Sequence, residues 1–445
     1  MRTLVYGLGE SGVAAIRALL ERGENVVAAD ASDDERLRRL LAELGVEGSL
    51  GVGPQILDGA DRVVVSPGIR PQDPVLRSAE ERGIPVVSEI GLGLELLYEE
   101  PRKVRVAAVT GTNGKTTVVD MVHRILDASG VPHAVAGNSW RALTGSLEEV
   151  RAAGLLVLEI SSFQLHYLRD PGFEVAALLN VRPDHLNWHA SFDEYARDKL
   201  RVFEGQGPDD LALVSAGDPT GIGAAKDLTA EVLVIGQGDT TVCDGSLFLR
   251  GSQIVAEGEL HFAGPHNHEN ALFATAVAQR LGVALQDIRA GLVDYGLKPH
   301  RMEVVAERGG VLYVDDSKAT NPAAVAAALR SFEGRPVILI LGGSEKETDF
   351  SEILPHLGRC RAVVCQGEAG PRIFEYLLEA GWGEISYLGA DLDWAVAEAE
   401  GLAKPGDVVL LSPGCANFDQ FAGYAERGVA YARLVESPAG RRAVR

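Results

Sequence analysis

Apolar residues along this chain fall into two alternating patterns. Short aliphatic and β-branched runs read as buried strands. Between them, apolar positions return every three or four residues, as on one face of a helix. The first series predicts a strand at 3–6, a glycine turn Gly7-Leu8-Gly9-Glu10-Ser11-Gly12, a helix at 13–22 and a strand at 25–30. A second series begins with a strand at 104–109 and continues with strands at 155–160 and 175–180. A third starts near Pro299, with strands at 311–314, 337–341 and 408–411 and a helical tail. Strand–helix alternation of this kind predicts an α/β protein with parallel sheets. The breaks predict three domains, 1–93, 94–298 and 299–445.

A chain of 445 residues, 46% hydrophobic and 24% charged, can bury several cores without a disulfide or metal staple. Its formal net charge of −21 opposes binding to phosphate backbones and anionic lipid surfaces. The four cysteines (Cys243, Cys360, Cys365, Cys415) contain no CxxC pair and read as reduced thiols. The opening residues run directly into a strand and a glycine turn, without the apolar core of a signal peptide, and no apolar run approaches the ~20 residues of a membrane span. These features predict a cytoplasmic protein.

The first chemistry lies after the strand at 104–109, in Thr110-Gly111-Thr112-Asn113-Gly114-Lys115-Thr116-Thr117. Val118, Val122, Ile125 and Leu126 then repeat at helical spacing, and Ser129-Gly130 closes the helix. A glycine-rich loop between a buried strand and a helix start is the context of a phosphate loop. Gly111 and Gly114 let backbone N–H groups converge on phosphate oxygens, and the helix terminus adds positive potential. Lys115 suits the outer phosphates of a nucleoside triphosphate and Thr116 a Mg²⁺ ion, although Val109 stands where the standard loop has glycine.

Glu159 ends an apolar strand, where a carboxylate is better explained as a metal ligand than as core. His185, in Arg182-Pro183-Asp184-His185, follows another strand and reads as a metal or substrate contact. His189 reads as a helix-end or surface histidine, and the spacing of 195–200 places Lys199 on a solvated helix face. Gly7-x-Gly9-x-x-Gly12 with Asp30 beyond it fits a dinucleotide site, and on its own leaves a NAD-binding module open.

Together, Thr110 to Thr117, Glu159-Ile160-Ser161-Ser162-Phe163-Gln164-Leu165, Asp184-His185, Gly264 to Asn270, His300-Arg301-Met302-Glu303, Asp315 to Pro322 and Leu411 to Phe421 resemble the Mur ligase family of peptidoglycan synthesis. The resemblance runs along the whole chain. It implies an N-terminal Rossmann-like domain for the UDP end of the substrate, a central P-loop ATPase-type domain and a C-terminal Rossmann-like lid. It implies ATP, Mg²⁺ and small-molecule substrates, and nothing in the sequence demands more than a monomer. The match is strongest to the branch that adds D-glutamate to UDP-N-acetylmuramoyl-L-alanine through an acyl phosphate.

Residue roles carried over by the resemblance are these. Gly111, Thr112, Asn113, Gly114, Lys115, Thr116 and Thr117 bind ATP, with Asn267, Asn270, Arg301 and Asp316 (or Asp315). Gly9, Ser11, Asp30, Ser66, Pro67, Gly68, Asn138 and His185 hold the UDP-substrate. Thr320, Lys346, Asn417, Phe418 and Tyr424 face the incoming amino acid. Thr116, Glu159, His185 and Lys199, the last as a carbamate, serve the metals, and Lys115, Glu159, His185, Lys199 and Lys318 are catalytic. The chain departs from the family at Ser139-Trp140 (usually Ile-Gly), Asn187 (usually acidic), Glu347 (usually glycine) and Asn417 (usually serine). The last two leave open a ligase of this type that uses another amino acid or acceptor.

Overall fold

The computed structural model describes residues 1–99, 104–332, 334–345, 348–386 and 391–436. The fold is α/β, as the alternating pattern predicts. The N-terminal sheet has five parallel strands in the order Glu47–Leu50, Asn25–Asp30, Arg2–Tyr6, Arg62–Val65, Val86–Ser88. Strand order reverses beside Arg2–Tyr6, so the glycine turn and the Ser66-Pro67-Gly68 turn both leave the sheet at its switch point. Ser66 Oγ donates to Gly7 O at 2.7 Å, and a Cβ on Gly12 would lie 1.9 Å from that carbonyl, so only glycine fits. The helix starts at Glu10, earlier than apolar spacing predicts, because the turn itself supplies its first residues.

The central sheet is also parallel, ordered Glu231–Ile235, Leu211–Ser215, Val175–Leu178, Arg105–Thr110, Leu155–Glu159, Ala134–Gly137. Its switch point again falls at the strand that feeds a glycine loop, Arg105–Thr110. A three-stranded antiparallel ribbon, Thr241–Cys243, Ser246–Leu249 and Ser252–Ala256, follows. Two-residue turns make it: Asp244-Gly245 and Arg250-Gly251 all have positive φ, the geometry that matches strand twist in a hairpin.

The chain forms two compact units, one of residues 1–260 and 268–295, the other of 261–267 and 296–445. In the first, both sheets share one hydrophobic core. The helix Glu89–Tyr98 explains this: Ile90, Leu92, Leu94, Leu96 and Leu97 are all buried, and a helix apolar on every side has to be enclosed. In the second unit, Glu303–Arg308 pairs antiparallel with Val311–Asp315. Parallel strands Val408–Leu411, Val337–Gly342, Cys360–Gln366 and Ile385–Ser386 complete that sheet. Cys360, Cys365 and Cys415 are buried free thiols, and Cys243 is an exposed one.

Candidate active site

In the first unit the phosphate loop sits between strand Arg105–Thr110 and helix Lys115–Ala128. Gly114 has φ +89°, and a Cβ there would come within 2.5 Å of Asn270 Oδ1. Asn180 clamps the loop from the neighbouring strand end. Its carbonyl accepts from Thr112 N at 2.8 Å, its Oδ1 accepts from Asn113 N at 2.9 Å, and its Nδ2 donates to Asn113 O at 3.2 Å. Lys115 Nζ donates to Gly111 O and Thr112 O at 2.6 and 2.9 Å, so its charge stays over the loop.

Glu159 is fully buried at the end of the adjacent strand. Its Oε1 accepts from Thr116 Oγ1 (3.1 Å), Asn138 Nδ2 (3.0 Å) and Ser139 Oγ (2.9 Å), and its Oε2 from Trp140 Nε1 (3.1 Å). Ser139 and Trp140, two of the five residues that differ from the expected family pattern, are therefore donors to this carboxylate. Directly after it, Ser161 and Gln164 form a capping box that starts helix Ser162–His166 and fixes the exit of the strand. A Thr116 hydroxyl beside a buried carboxylate is a hard, all-oxygen donor set, and it suits a Mg²⁺ ion that keeps several waters.

Lys199 corrects the expectation from spacing. It is not on a solvated face: the side chain is fully enclosed, Nζ donates to Gly111 O at 2.8 Å, and it lies 4.7 Å from the Tyr195 ring centroid. Burial, and then the nearby Lys115 charge, hold its amine well below the usual lysine range. A neutral buried amine is the form that can add carbon dioxide. Tyr195 in turn shares a 2.9 Å hydrogen bond with Thr112 Oγ1, tying this helix to the loop.

His189 is likewise buried rather than superficial. Its Nε2 meets Ser162 Oγ at 3.0 Å and its Nδ1 lies 3.2 Å from Asp198. His166 Nδ1 donates to the same carboxylate at 2.7 Å. Burial pushes the Asp198 carboxyl up, but the hydrogen bonds from His166 and His189 outweigh it and bring it to about 2. This network anchors the helix that carries Lys199, and nothing local in the sequence announces it. His185 has φ +56°, a partly exposed side chain, and its ring edge-on to Phe163 at 4.8 Å. Nearby, Trp188 Nε1 donates to Pro67 O at 3.1 Å, which joins the His185 loop to the N-terminal turn. In that turn Leu8 N donates to Asp30 Oδ2 at 2.8 Å, while Gly9 and Gly68 are exposed and Ser11 half-buried.

The second unit gathers its own set. Asp315 is buried, with Oδ2 accepting from His300 Nδ1 at 2.6 Å. Asp316 accepts from Ser412 Oγ at 2.9 Å and Met302 N at 3.3 Å, and burial pushes its carboxyl up to about 7. Lys318 Nζ sits 3.9 Å from the Tyr424 ring centroid. Arg301 and Thr320 are half-buried, and Phe418 is exposed. Asn267 is buried, and its Nδ2 donates to Ala263 O at 2.9 Å. Asn417 is buried, with Nδ2 donating to Phe421 O at 3.0 Å, so its amide closes its own turn. Lys346 and Glu347 lie outside the described residues.

Arg427 is the residue that sequence reading missed here. It is 1% exposed and donates from Nε to Ser317 Oγ (2.9 Å), from Nη2 to Ser317 O (2.9 Å) and Cys415 O (3.2 Å), and from Nη1 to Cys415 O (3.2 Å) and Ala416 O (3.1 Å). One guanidinium thus pins the Asp315–Lys318 loop to the loop before Asn417.

Known proteins resemble this chain along its length. Residues 1–88 match the model described as Mur ligase MurD-like, N-terminal domain; 109–278 match the Mur ligase middle domain; 300–415 match the Mur ligase, glutamate ligase domain. The chain is 70% identical over 444 residues to the UDP-N-acetylmuramoylalanine--D-glutamate ligase of Rubrobacter xylanophilus, covering 100% of this chain and 99% of that one. It is 36% identical to the protein of the same name from Desulfitobacterium hafniense, covering 98% and 97%. Among solved structures, MurF from Acinetobacter baumannii has a TM-score of 0.63 at 21% identity, covering 91% of this chain and 90% of that one. A pseudomurein peptide ligase type C from Methanothermus fervidus has a TM-score of 0.57 at 19% identity, covering 98% and 99%. These two share the fold.

Proposed function

The chain belongs to the Mur ligase family, and from that premise we infer that it adds D-glutamate to UDP-N-acetylmuramoyl-L-alanine with ATP, in the synthesis of peptidoglycan precursors. Full-length identity of 70% to a ligase of that name carries the specificity. The phosphate loop with Glu159 and Lys199 gathered around it carries the chemistry.

A carboxylate does not react with an amine at neutral pH until its oxygen becomes a leaving group. Transfer of the γ-phosphoryl group to the L-alanyl carboxylate gives an acyl phosphate, and the amine of D-glutamate then displaces phosphate. The first step brings two anions together, so cationic groups and backbone dipoles must neutralise them. Lys115, held above the loop by two carbonyls, exchanges those contacts for phosphate oxygens. Thr116 and Glu159 would hold Mg²⁺, which supplies further charge neutralisation at the transferring group. His185 and a carbamate on Lys199 are the corresponding residues for a second ion. A carbamate turns a cation into an anion, and the lowered proton affinity of Lys199 favours it. Gly9, Ser11, Asp30, Ser66, Pro67, Gly68 and Asn138 hold the UDP-substrate, and Asn267, Asn270, Arg301 and Asp316 serve the nucleotide. Lys318 is a further cation for the phosphoryl group, and Thr320, Lys346, Asn417, Phe418 and Tyr424 receive the amino acid. Three domains, 1–93, 94–298 and 299–445, acting in a cytoplasmic monomer, complete the proposal. No helix among the described residues is long and apolar enough to cross a membrane.

Phosphate release is the direct test, with ATP, Mg²⁺, UDP-N-acetylmuramoyl-L-alanine and a panel of amino acids of both hands. Turnover with D-glutamate alone is expected. Turnover with a different amino acid would keep the mechanism and overturn the specificity.

A further inference from the structure

His123, Asp127 and His133 form a cluster that the ligase reaction does not use. His123 and Asp127 stand one turn apart on helix Lys115–Ala128, and His133 lies in the segment that leads from this helix to strand Ala134–Gly137. One donor atom from each lies within 4.8 Å of the other two. His133 is almost enclosed, with a side chain 4% exposed, and its Nδ1 donates to Val131 O at 2.8 Å. That bond fixes the tautomer and leaves Nε2 as the lone-pair nitrogen, the orientation that metal-bound histidines receive from a backbone carbonyl. His123 Nδ1 faces this lone pair at 2.7 Å. Asp127 spans both rings, with Oδ2 3.6 Å from His123 Nε2 and Oδ1 3.9 Å from His133 Nε2.

We propose that His123 Nδ1, His133 Nε2 and an Asp127 carboxylate oxygen form a binding site for a borderline divalent ion of the zinc class, distinct from the Mg²⁺ chemistry at Glu159. Two imidazoles and one carboxylate suit Zn²⁺, Co²⁺ or Ni²⁺, whereas Mg²⁺ prefers an all-oxygen shell. The ring nitrogens, 2.7 Å apart, need only part by about 0.7 Å to sit ~2.1 Å from one tetrahedral ion. His123 shifts its proton from Nδ1 to Nε2, where the other Asp127 oxygen can accept it, so no charge is stranded. The ion also lies beside the active-site wall: the Trp140 ring centroid is 6.0 Å from that of His123, and Trp140 donates to Glu159. Occupancy is therefore readable in Trp140 fluorescence.

The test uses the untagged full chain in excess Mg²⁺, titrated with Co²⁺ and followed by visible absorption. One equivalent with the intense d–d bands of low coordination, and no thiolate charge-transfer band, is expected. Trp fluorescence should be quenched in parallel, and the quenching should shrink in Trp140→Phe. His123→Gln and the exposed-site variant Asp127→Asn should each weaken Co²⁺ binding at least about tenfold. Absence of a low-coordination spectrum at millimolar Co²⁺ would overturn the site. So would unchanged affinity in both variants when both remain folded by circular dichroism.

Discussion

Replacing Arg427 with methionine keeps an unbranched stem reaching about as far as Nε and removes every donor. Ser317 Oγ and the carbonyls of Ser317, Cys415 and Ala416 then lose this donor, while Ser317 Oγ keeps its bond to Tyr424 O and Ala416 O its bond from Ser344 N. Losing the five hydrogen bonds that the guanidinium donates costs about 6 kcal/mol, at roughly 1.2 kcal/mol each. Part of this is returned, because the guanidinium itself is held at a cost: burial pushes it down to about 10, equivalent to roughly 3 kcal/mol. The net loss is about 3 kcal/mol, in line with breaking one side of a buried charged network. Urea denaturation with two probes is the assay, since two compact units need not unfold in one step. The transition of the second unit should move to lower urea while that of the first stays. Arg427→Lys, with three donors, should fall between. A methionine variant within about 0.5 kcal/mol of the parent would refute the reasoning and leave the guanidinium a tolerated charge.

Three further outcomes follow from the same geometry. Lys199→Ala should lose ligation, and short-chain carboxylic acids should restore part of it by standing in for the carbamate; full activity without any acid would remove Lys199 from the site. Glu89 is fully buried and accepts from Thr144 N and Oγ1 at 2.6 and 2.7 Å, and burial raises its carboxyl from 4.5 to about 7 against those hydrogen bonds. The unfolded chain releases this proton first, so stability is full below pH ~4.5 and falls by up to about 3 kcal/mol as pH rises to ~7. Glu89→Gln should remove that decline and be the more stable protein at pH 8; parallel pH–stability curves for the two proteins would contradict the assignment. A Cβ on Gly428 would lie 2.1 Å from His300 Nδ1 and 2.5 Å from Asp315 Oδ2. Gly428→Ala should therefore part the His300–Asp315 pair and cost about 1–3 kcal/mol, read as a lower melting temperature and a shifted His300 imidazole resonance; an unmoved resonance would count against it.

Local chemistry made much of this protein legible from its sequence. Strand runs such as 25–30 and 408–411 coincide with Asn25–Asp30 and Val408–Leu411, because fully buried parallel strands must be continuously apolar. The glycine-rich loop was legible because its glycines, lysine and threonine fall in one short stretch between a strand and a helix. Burial of a polar side chain is not local. The Tyr195–Leu200 stretch reads as a solvated face, yet the carbonyl that receives Lys199 belongs to Gly111, 88 positions away. Arg427 reads as one more charge on a terminal helix, yet it bonds Ser317 across 110 positions. His189 joins Asp198 only because two segments pack together. The sequence by itself determined the elements, the glycine-rich loop between strand and helix, and the family. Tertiary structure alone decided which charges were taken out of water and which partner each then required, because desolvation depends on what packs around a group and not on its neighbours in the chain.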